Sequence, residues 1–120
     1  IMESARDFAI FTTDASGVVT SWNAGATNLL GYEEGEIVGR AGDVIYTPDD
    51  RAAGIPEREL ETARVEGRAL NERWHVRKDQ RRFWASGLVQ PLRQDGQSRG
   101  FVKIMRDRTE ARLAEERLRR

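Results

Sequence analysis

The sequence has 120 residues, and its 20 lysines and arginines balance 20 aspartates and glutamates, so the net charge is zero. This length fits a single domain, the balanced charge argues against a nucleic-acid module, and no apolar run reaches the roughly 20 residues that cross a bilayer. The absence of cysteine excludes disulfides, thiolate metal sites and cysteine nucleophiles, and it favours a reducing, cytoplasmic compartment.

Hydrophobic periodicity and turn residues divide the chain into strands and helices. We predict strands at 8–13 and 18–22, helices at 24–30, 33–38 and 50–66, strands at 68–78, 82–92 and 100–106, and a helix from Thr109 onward. Asn23 is the expected N-cap of the first helix, and Thr47 or Asp49 is the expected N-cap of the third. Gly31 and Gly67 are expected to end these two helices, and Pro56 is expected to cause a break or a fresh first turn within the third. Residues 40–48 show little periodicity and are expected to form a loop over a pocket.

The last predicted helix has a clear start signal. Asp107 is the expected cap, and Glu110 occupies the position that completes a capping box. Ala111, Ala114 and Leu118 follow at three- and four-residue spacing, which fits either the start of a two-stranded signalling helix or a plain surface helix. Because both chain ends are abrupt, we expect one module of a longer protein.

The order of elements predicts an α+β fold, with a five-stranded antiparallel sheet, helices packed on one face and a C-terminal helix. Motifs placed along that order resemble the PAS superfamily, the sensor domains of bacterial signalling proteins. The matching residues are Trp22-Asn23, Gly31-Tyr32, Glu36, Gly39, Arg77-Lys78-Asp79, Phe83-Trp84, Gly100-Phe101 and Asp107-Arg108-Thr109. They occur in the family's order and cover nearly the whole chain.

The resemblance implies a PAS sensor domain over residues 1–108 and the start of a signalling helix over 109–120, within a histidine kinase. Such a domain binds a small ligand or a partner and relays a conformational change to its output domain, here through Asp107 and Thr109. The domain itself would not be catalytic. Two alternatives stay open: a ligand-free dimerisation module, and a haem or flavin redox sensor with atypical motifs.

The light-oxygen-voltage branch of the family bonds its flavin to a cysteine, and that photo-adduct is excluded here. The branch's Gly-Arg-Asn-Cys motif corresponds to Gly39-Arg40-Ala41-Gly42, so a glycine occupies the cysteine position. The asparagines that hold the flavin's polar edge correspond to His75 and Ala85, and the glutamine of the last strand corresponds to Met105.

A haem is not expected either, and neither is a metal ion. The family's axial histidine lies in a stretch that corresponds to residues 43–67, which contain no His, Cys or Met, and Tyr46 is the one conceivable ligand there. The single histidine, His75, is expected to be a partly exposed strand residue or a hydrogen-bonded group at the pocket edge. Contact between His75 and a ligand is the alternative.

The resemblance assigns one face of the sheet to the pocket, and strand alternation then defines the opposite face. The predicted pocket residues are Ile45, Leu60, His75, Phe83, Ala85, Lys103 and Met105. The residues of the opposite, mostly apolar face are Trp74, Val76, Trp84, Leu88, Val102 and Ile104. A homodimer partner, joined also through the terminal helices, or a flanking helix would cover that face. In the alternative, the strand register is reversed and this set is the core.

Lys103 is unexpected on a pocket-facing strand position, because a buried ammonium needs a partner. In one hypothesis Lys103, with His75 nearby, marks a polar pocket mouth for a carboxylate or another anionic ligand. In the other it forms an internal ion pair, for which the candidate acids are Asp43, Asp49 and Asp50. The charges of residues 49–68 are interspersed as on a solvated helix face, so we predict no catalytic pair of carboxylates there.

Overall fold

The computed structural model describes residues 7–119, and its elements follow the predicted order. The strands are β1 (Ala9–Thr13), β2 (Val19–Trp22), β3 (Ala69–Val76), β4 (Arg82–Gln94) and β5 (Gln97–Asp107). The helices are α1 (Ala24–Leu30), α2 (Glu34–Ile37), α3 (Pro48–Ala52), α4 (Ile55–Glu66) and α5 (Thr109–Leu118), with a 3₁₀ turn at Gly42–Ile45. Residues 1–6 of the predicted sensor domain (1–108) and residue 120 of the predicted signalling helix (109–120) lie outside the described residues.

The five strands form one antiparallel sheet in the order β2-β1-β5-β4-β3, which confirms the predicted α+β architecture. The β4–β5 hairpin is longer than predicted, because its turn consists of only two residues. Asp95 and Gly96 both have positive φ, 54° and 78°, as a two-residue hairpin turn requires. Pairing therefore continues to Gln94↔Gln97.

The predicted caps of the first helices are confirmed by their hydrogen bonds. The Asn23 side chain accepts from the backbone N–H of Ala26 at 2.8 Å, and Gly31 ends α1 in the left-handed region. Thr47 caps α3, and Pro56 lies in the first turn of a fresh helix, α4. Each of these residues is of a type that its position at a helix end favours, so the local sequence is sufficient to set these helix ends.

The predicted capping box of α5 is wrong. The backbone N–H of Arg108 donates to Trp84 O at 2.8 Å and so prolongs the β-ladder, which makes Arg108 the N-cap and moves Glu110 to the second helical position. Asp107 still accepts from the Thr109 backbone N–H at 2.9 Å. A capping box forms instead at the start of α2, between Glu33 and Glu36.

The two faces of the sheet differ in burial. Trp74 pairs with Trp84 and His75 with Phe83; His75 and Phe83 are fully buried, whereas Trp74 and Trp84 are half-buried, so the face that carries the two tryptophans is not the core. The residues that turn toward the helices are fully or nearly fully buried; they are His75, Phe83, Ala85, Phe101, Lys103 and Met105. The buried apolar residues form two clusters, a large one beneath α1 and α2 and a small one beneath α4.

Candidate functional site

A cavity of about 100 Å³ lies where the two apolar clusters meet. Its apolar wall is contributed by β1, α4, β4 and β5 through Phe11, Leu60, Val89 and Phe101. Its polar lining residues include Ser16, Asp43, Tyr46, Glu57 and Lys103. An apolar protein cavity of about 150 Å³ holds one benzene molecule, so this space suits a ligand of only a few heavy atoms.

A set of buried and half-buried polar side chains, which we call the Glu59 cluster, lies against this cavity. Its members are Tyr46, Glu59, Asn71, Arg73, His75 and Lys103. Glu59 and Lys103 are each only 5% exposed, although both are charged residue types. Buried charges are stable only when paired and hydrogen-bonded, so these contacts hold α4 against β3 and β5.

Glu59 is the common acceptor of this cluster. Its Oε1 accepts from Tyr46 Oη at 2.5 Å, and its Oε2 accepts from Asn71 Nδ2 and Arg73 Nε, both at 2.7 Å. Lys103 Nζ lies 3.6 Å from Oε1. Three donors and a nearby ammonium therefore compensate the desolvation of one carboxylate.

The other half of the cluster centres on Lys103. Its Nζ donates to Tyr46 Oη at 2.8 Å and contacts His75 Nε2 at 3.0 Å. Because the ammonium is only a donor, Nε2 is the acceptor and the imidazole hydrogen is assigned to Nδ1. Within the described part of the chain, His75 Nδ1 and Asn71 Oδ1 are buried without a hydrogen-bond partner.

Regular structure explains how these side chains meet. Asn71, Arg73 and His75 alternate along β3 and so point to the same face of the sheet, while Glu59 follows Pro56 and precedes Ala63 on the buried side of α4. Tyr46 is held by an antiparallel bridge to His75 directly after the 3₁₀ turn.

Burial shifts the titration of three groups in the cluster. It lowers the pKa of Lys103 to about 8, against the opposing influence of Glu59, which stabilises the ammonium. Burial, followed by the charges of Lys103 and Arg73, holds the pKa of His75 well below its ordinary value. Burial and then the neighbouring Glu59 carboxylate raise the pKa of Tyr46. Near neutral pH the imidazole is thus neutral, and the phenol retains its proton.

The predicted pocket residues separate into three groups. Leu60 and Lys103 border the cavity. His75 does not border it but contacts Lys103. The remaining residues belong to the large apolar cluster; they are Ile45, Phe83, Ala85 and Met105.

Lys103 does form an internal ion pair, but the predicted partners are wrong. Its acid is Glu59, while Asp43 lies 3.7 Å from Arg51 and Asp50 lies 3.3 Å from Arg73. The charge of Glu59 predicts a place on the solvated helix face, and the structure contradicts this. Its three- and four-residue spacing from Pro56 and Ala63 is the sequence signal that places it on the buried side.

The opposite face of the sheet is partly covered by α5. The Arg112 guanidinium lies 3.8 Å from the centre of the Trp84 ring, and Trp84 packs edge-to-face on Trp74 at 5.3 Å. The backbone N–H of Trp84 donates to Thr109 Oγ1 at 2.8 Å, and Arg77 pairs with Asp107 at 2.8 Å. Of the other predicted residues of this face, Val76 is buried, while Leu88, Val102 and Ile104 are half-buried.

Within residues 7–119 no helix is long and apolar enough to cross a membrane. No group of three or more histidines and acids converges there as a metal site would require.

Comparisons with known proteins agree on one family. A family model described as a PAS domain matches residues 7–110. Two-component system protein A of Emericella nidulans is 44% identical over 115 residues, which cover 96% of this chain and 17% of that protein. The chain thus spans about a sixth of that relative's length.

Solved structures show the same fold. The PAS domain of a protein from Colwellia psychrerythraea aligns with a TM-score of 0.79 at 26% identity, covering 91% of this chain and 95% of that one. A blue-light activated histidine kinase of Erythrobacter litoralis aligns with a TM-score of 0.72 at 24% identity, covering 98% and 41%.

Proposed function

Because the chain belongs to the PAS domain family, we propose that its cavity is the ligand site of a sensory domain and that α5 carries the output. The related two-component protein supports a place in two-component signalling. On this proposal residues 1–108 form the sensor, 109–120 begin the signalling helix, and the output domain is a cytoplasmic histidine kinase.

The observation that carries the proposal is the course of β5. Lys103 borders the cavity and belongs to the Glu59 cluster, and four residues later the same strand ends at Asp107. Asp107 accepts from Thr109, whose Oγ1 also accepts from Trp84 of the neighbouring strand. A shift of β5 at the cavity would therefore act on the first turn of α5.

A ligand biases such a switch only if it binds the two states with different affinity. Lys103 is satisfied by Tyr46, His75 and Glu59. A ligand that takes over one of these contacts would change the pairing of α4 with β5. The Glu59 cluster supplies the bistable element of the proposed relay.

Native mass spectrometry under gentle and denaturing conditions tests for a carried ligand. A second test measures the melting temperature (Tm) with a panel of small alcohols, aldehydes and carboxylates. The Leu60→Trp variant, which fills the cavity, should lose any Tm increase, whereas Leu70→Trp, at a residue 64% exposed, should retain it. Equal masses under both conditions, with no Tm increase from any compound, would refute the ligand site.

A second function, a ligand-free dimerisation module, is favoured by the half-buried apolar residues beside α5. Leu88, Val102 and Ile104 lie on the face that Arg112 and Trp84 only partly cover. If a second copy completes this cover, Trp84→Glu should yield a folded monomer, detected by light scattering after size exclusion. A wild-type chain that is already monomeric at high concentration would contradict this function.

A further inference from the structure

The chain contains only two lysines, and they lie in opposite environments. Lys78 is exposed and pairs with Glu36 at 2.8 Å, whereas Lys103 is buried and borders the cavity. We propose that Lys103 captures a small neutral aldehyde in this cavity as a reversible imine, with Tyr46 and Glu59 moving the protons. This inference rests on the proposed role of the cavity as the ligand site.

The contacts of Lys103 orient its amine for this chemistry. Once Nζ is neutral, it retains two hydrogens, and two acceptors are already in place: Tyr46 Oη at 2.8 Å and His75 Nε2 at 3.0 Å. Tyr46 accepts at this position because its own hydrogen is donated to Glu59 at 2.5 Å. The lone pair of the amine is thereby confined to the remaining tetrahedral directions.

The environment also increases the fraction of Lys103 that is present as the neutral amine. Because burial lowers the pKa of Lys103 to about 8, roughly a tenth of the amine is neutral at neutral pH. An exposed lysine, with a pKa near 10.4, is neutral in well under about a thousandth of molecules. Desolvated lysines beside other cationic groups are the usual nucleophiles of imine chemistry, and Arg73 contributes such a charge here.

The atoms of the step balance without an added reagent. Nζ attacks the carbonyl carbon, a C–N bond forms, and the π electrons of the C=O bond move to oxygen. Of the three hydrogens of the starting ammonium, two leave with that oxygen as water and one remains on the iminium. Tyr46 Oη lies between Nζ and Glu59 and can pass these protons, and the Glu59 carboxylate stabilises the iminium where the ammonium stood.

The lining of the cavity selects the class of carbonyl compound. A volume of about 100 Å³ admits a few heavy atoms, and the apolar wall around Leu60 and Phe101 suits a short alkyl group. Asp43 and Glu57 also line the space, so a ligand with its own carboxylate would be repelled. These features favour an uncharged short-chain aldehyde over the anionic ligand.

The test uses the full chain, propionaldehyde and sodium cyanoborohydride, which reduces an imine to a stable propyl amine. Peptide mass spectrometry then compares the propylation rates of Lys103 and Lys78 in the same molecules near neutral pH. We expect Lys103 to react at least about ten times faster, given the difference in neutral amine. Modification of Lys78 with Lys103 unmodified, the result expected for an inaccessible lysine, would overturn the proposal.

Two controls separate this proposal from the function on which it rests. Tyr46→Phe should slow propylation of Lys103 several-fold without affecting Lys78, and equal rates would overturn the role of Tyr46. 1-Propanol matches the probe in size but cannot form an imine. If 1-propanol raises the Tm and propionaldehyde leaves Lys103 unmodified, the ligand site stands and the imine is refuted; if 1-propanol leaves the Tm unchanged and Lys103 also stays unmodified, both fail.

Discussion

Replacing Glu59 by glutamine should lower the free energy of unfolding by about 3–5 kcal/mol, the usual cost of removing one partner from a buried ion pair. The carboxylate accepts from Tyr46, Asn71 and Arg73 at 2.5–2.7 Å, and Lys103 lies 3.6 Å away. Glutamine retains the shape but offers one acceptor oxygen, and its amide N–H₂ faces donors. The substitution leaves the Lys103 ammonium buried without a counter-charge.

For a chain of this length the loss corresponds to a decrease in Tm of about 12–20 °C. Urea unfolding followed by tryptophan fluorescence measures the free energy, and an unchanged m-value would show that the same transition is compared. The matched control is Glu61→Gln on the same helix. It should leave the free energy nearly unchanged, because Glu61 is exposed and its ion pair with Arg64 is solvated.

A double-mutant cycle tests the stated cause. Lys103→Met in the Glu59→Gln background removes the unpaired ammonium, so it should recover about 1–3 kcal/mol relative to additive effects. Two results would refute the reasoning: equal effects of Glu59→Gln and Glu61→Gln, or strictly additive effects of the two cluster substitutions.

Two further predictions concern pH and close packing. Since the pKa of His75 is held low in the fold and lies near 6.5 in the unfolded chain, the unfolded state binds the additional proton below about pH 6.5 and stability falls there. Between about pH 7.5 and 5.5 the free energy of unfolding should fall by about 1.4 kcal/mol more in the wild-type chain than in His75→Gln, and equal losses in the two chains would contradict it. Gly87→Ala should destabilise the chain by about 3 kcal/mol or abolish folding, because a Cβ there would overlap the backbone of Ile104. Gly35→Ala is the control in thermal melts, since its Cβ would meet open space and should be neutral or slightly stabilising; equal melts would refute the packing argument.

The strands, the helix ends and the grouping of residues on each face of the sheet could be predicted because they depend on local patterns. Alternation along β5 placed Lys103 on one face with Phe101 and Met105, the family resemblance assigned that face to the interior, and turn residues such as Gly31 marked the helix ends. The start of α5 could not be placed to the residue, because the hydrogen bond from Arg108 to Trp84 depends on how two distant strands pair. A tertiary contact overrode a local capping signal.

The Glu59 cluster was harder to predict for a related reason. Its ion pair joins residues 59 and 103, so identifying the acid requires the position of α4 over the sheet. Pro56, Glu59 and Ala63 follow one another at three- and four-residue spacing, but the charge of Glu59 argued for solvent. The cavity likewise depends on how side chains from distant elements fail to fill the space between two apolar clusters.

Amide hydrogen exchange of α5 tests the central claim most directly, namely that the cavity-side cluster is coupled to the output helix. Exchange over residues 109–118 is compared between the wild-type chain, Lys103→Met and the matched lysine control Lys78→Met. We predict a several-fold change in α5 exchange for Lys103→Met and none for Lys78→Met. If Lys103→Met alters exchange in β3 and α4 but leaves α5 identical to wild type, the cluster is structural and the proposed relay is contradicted.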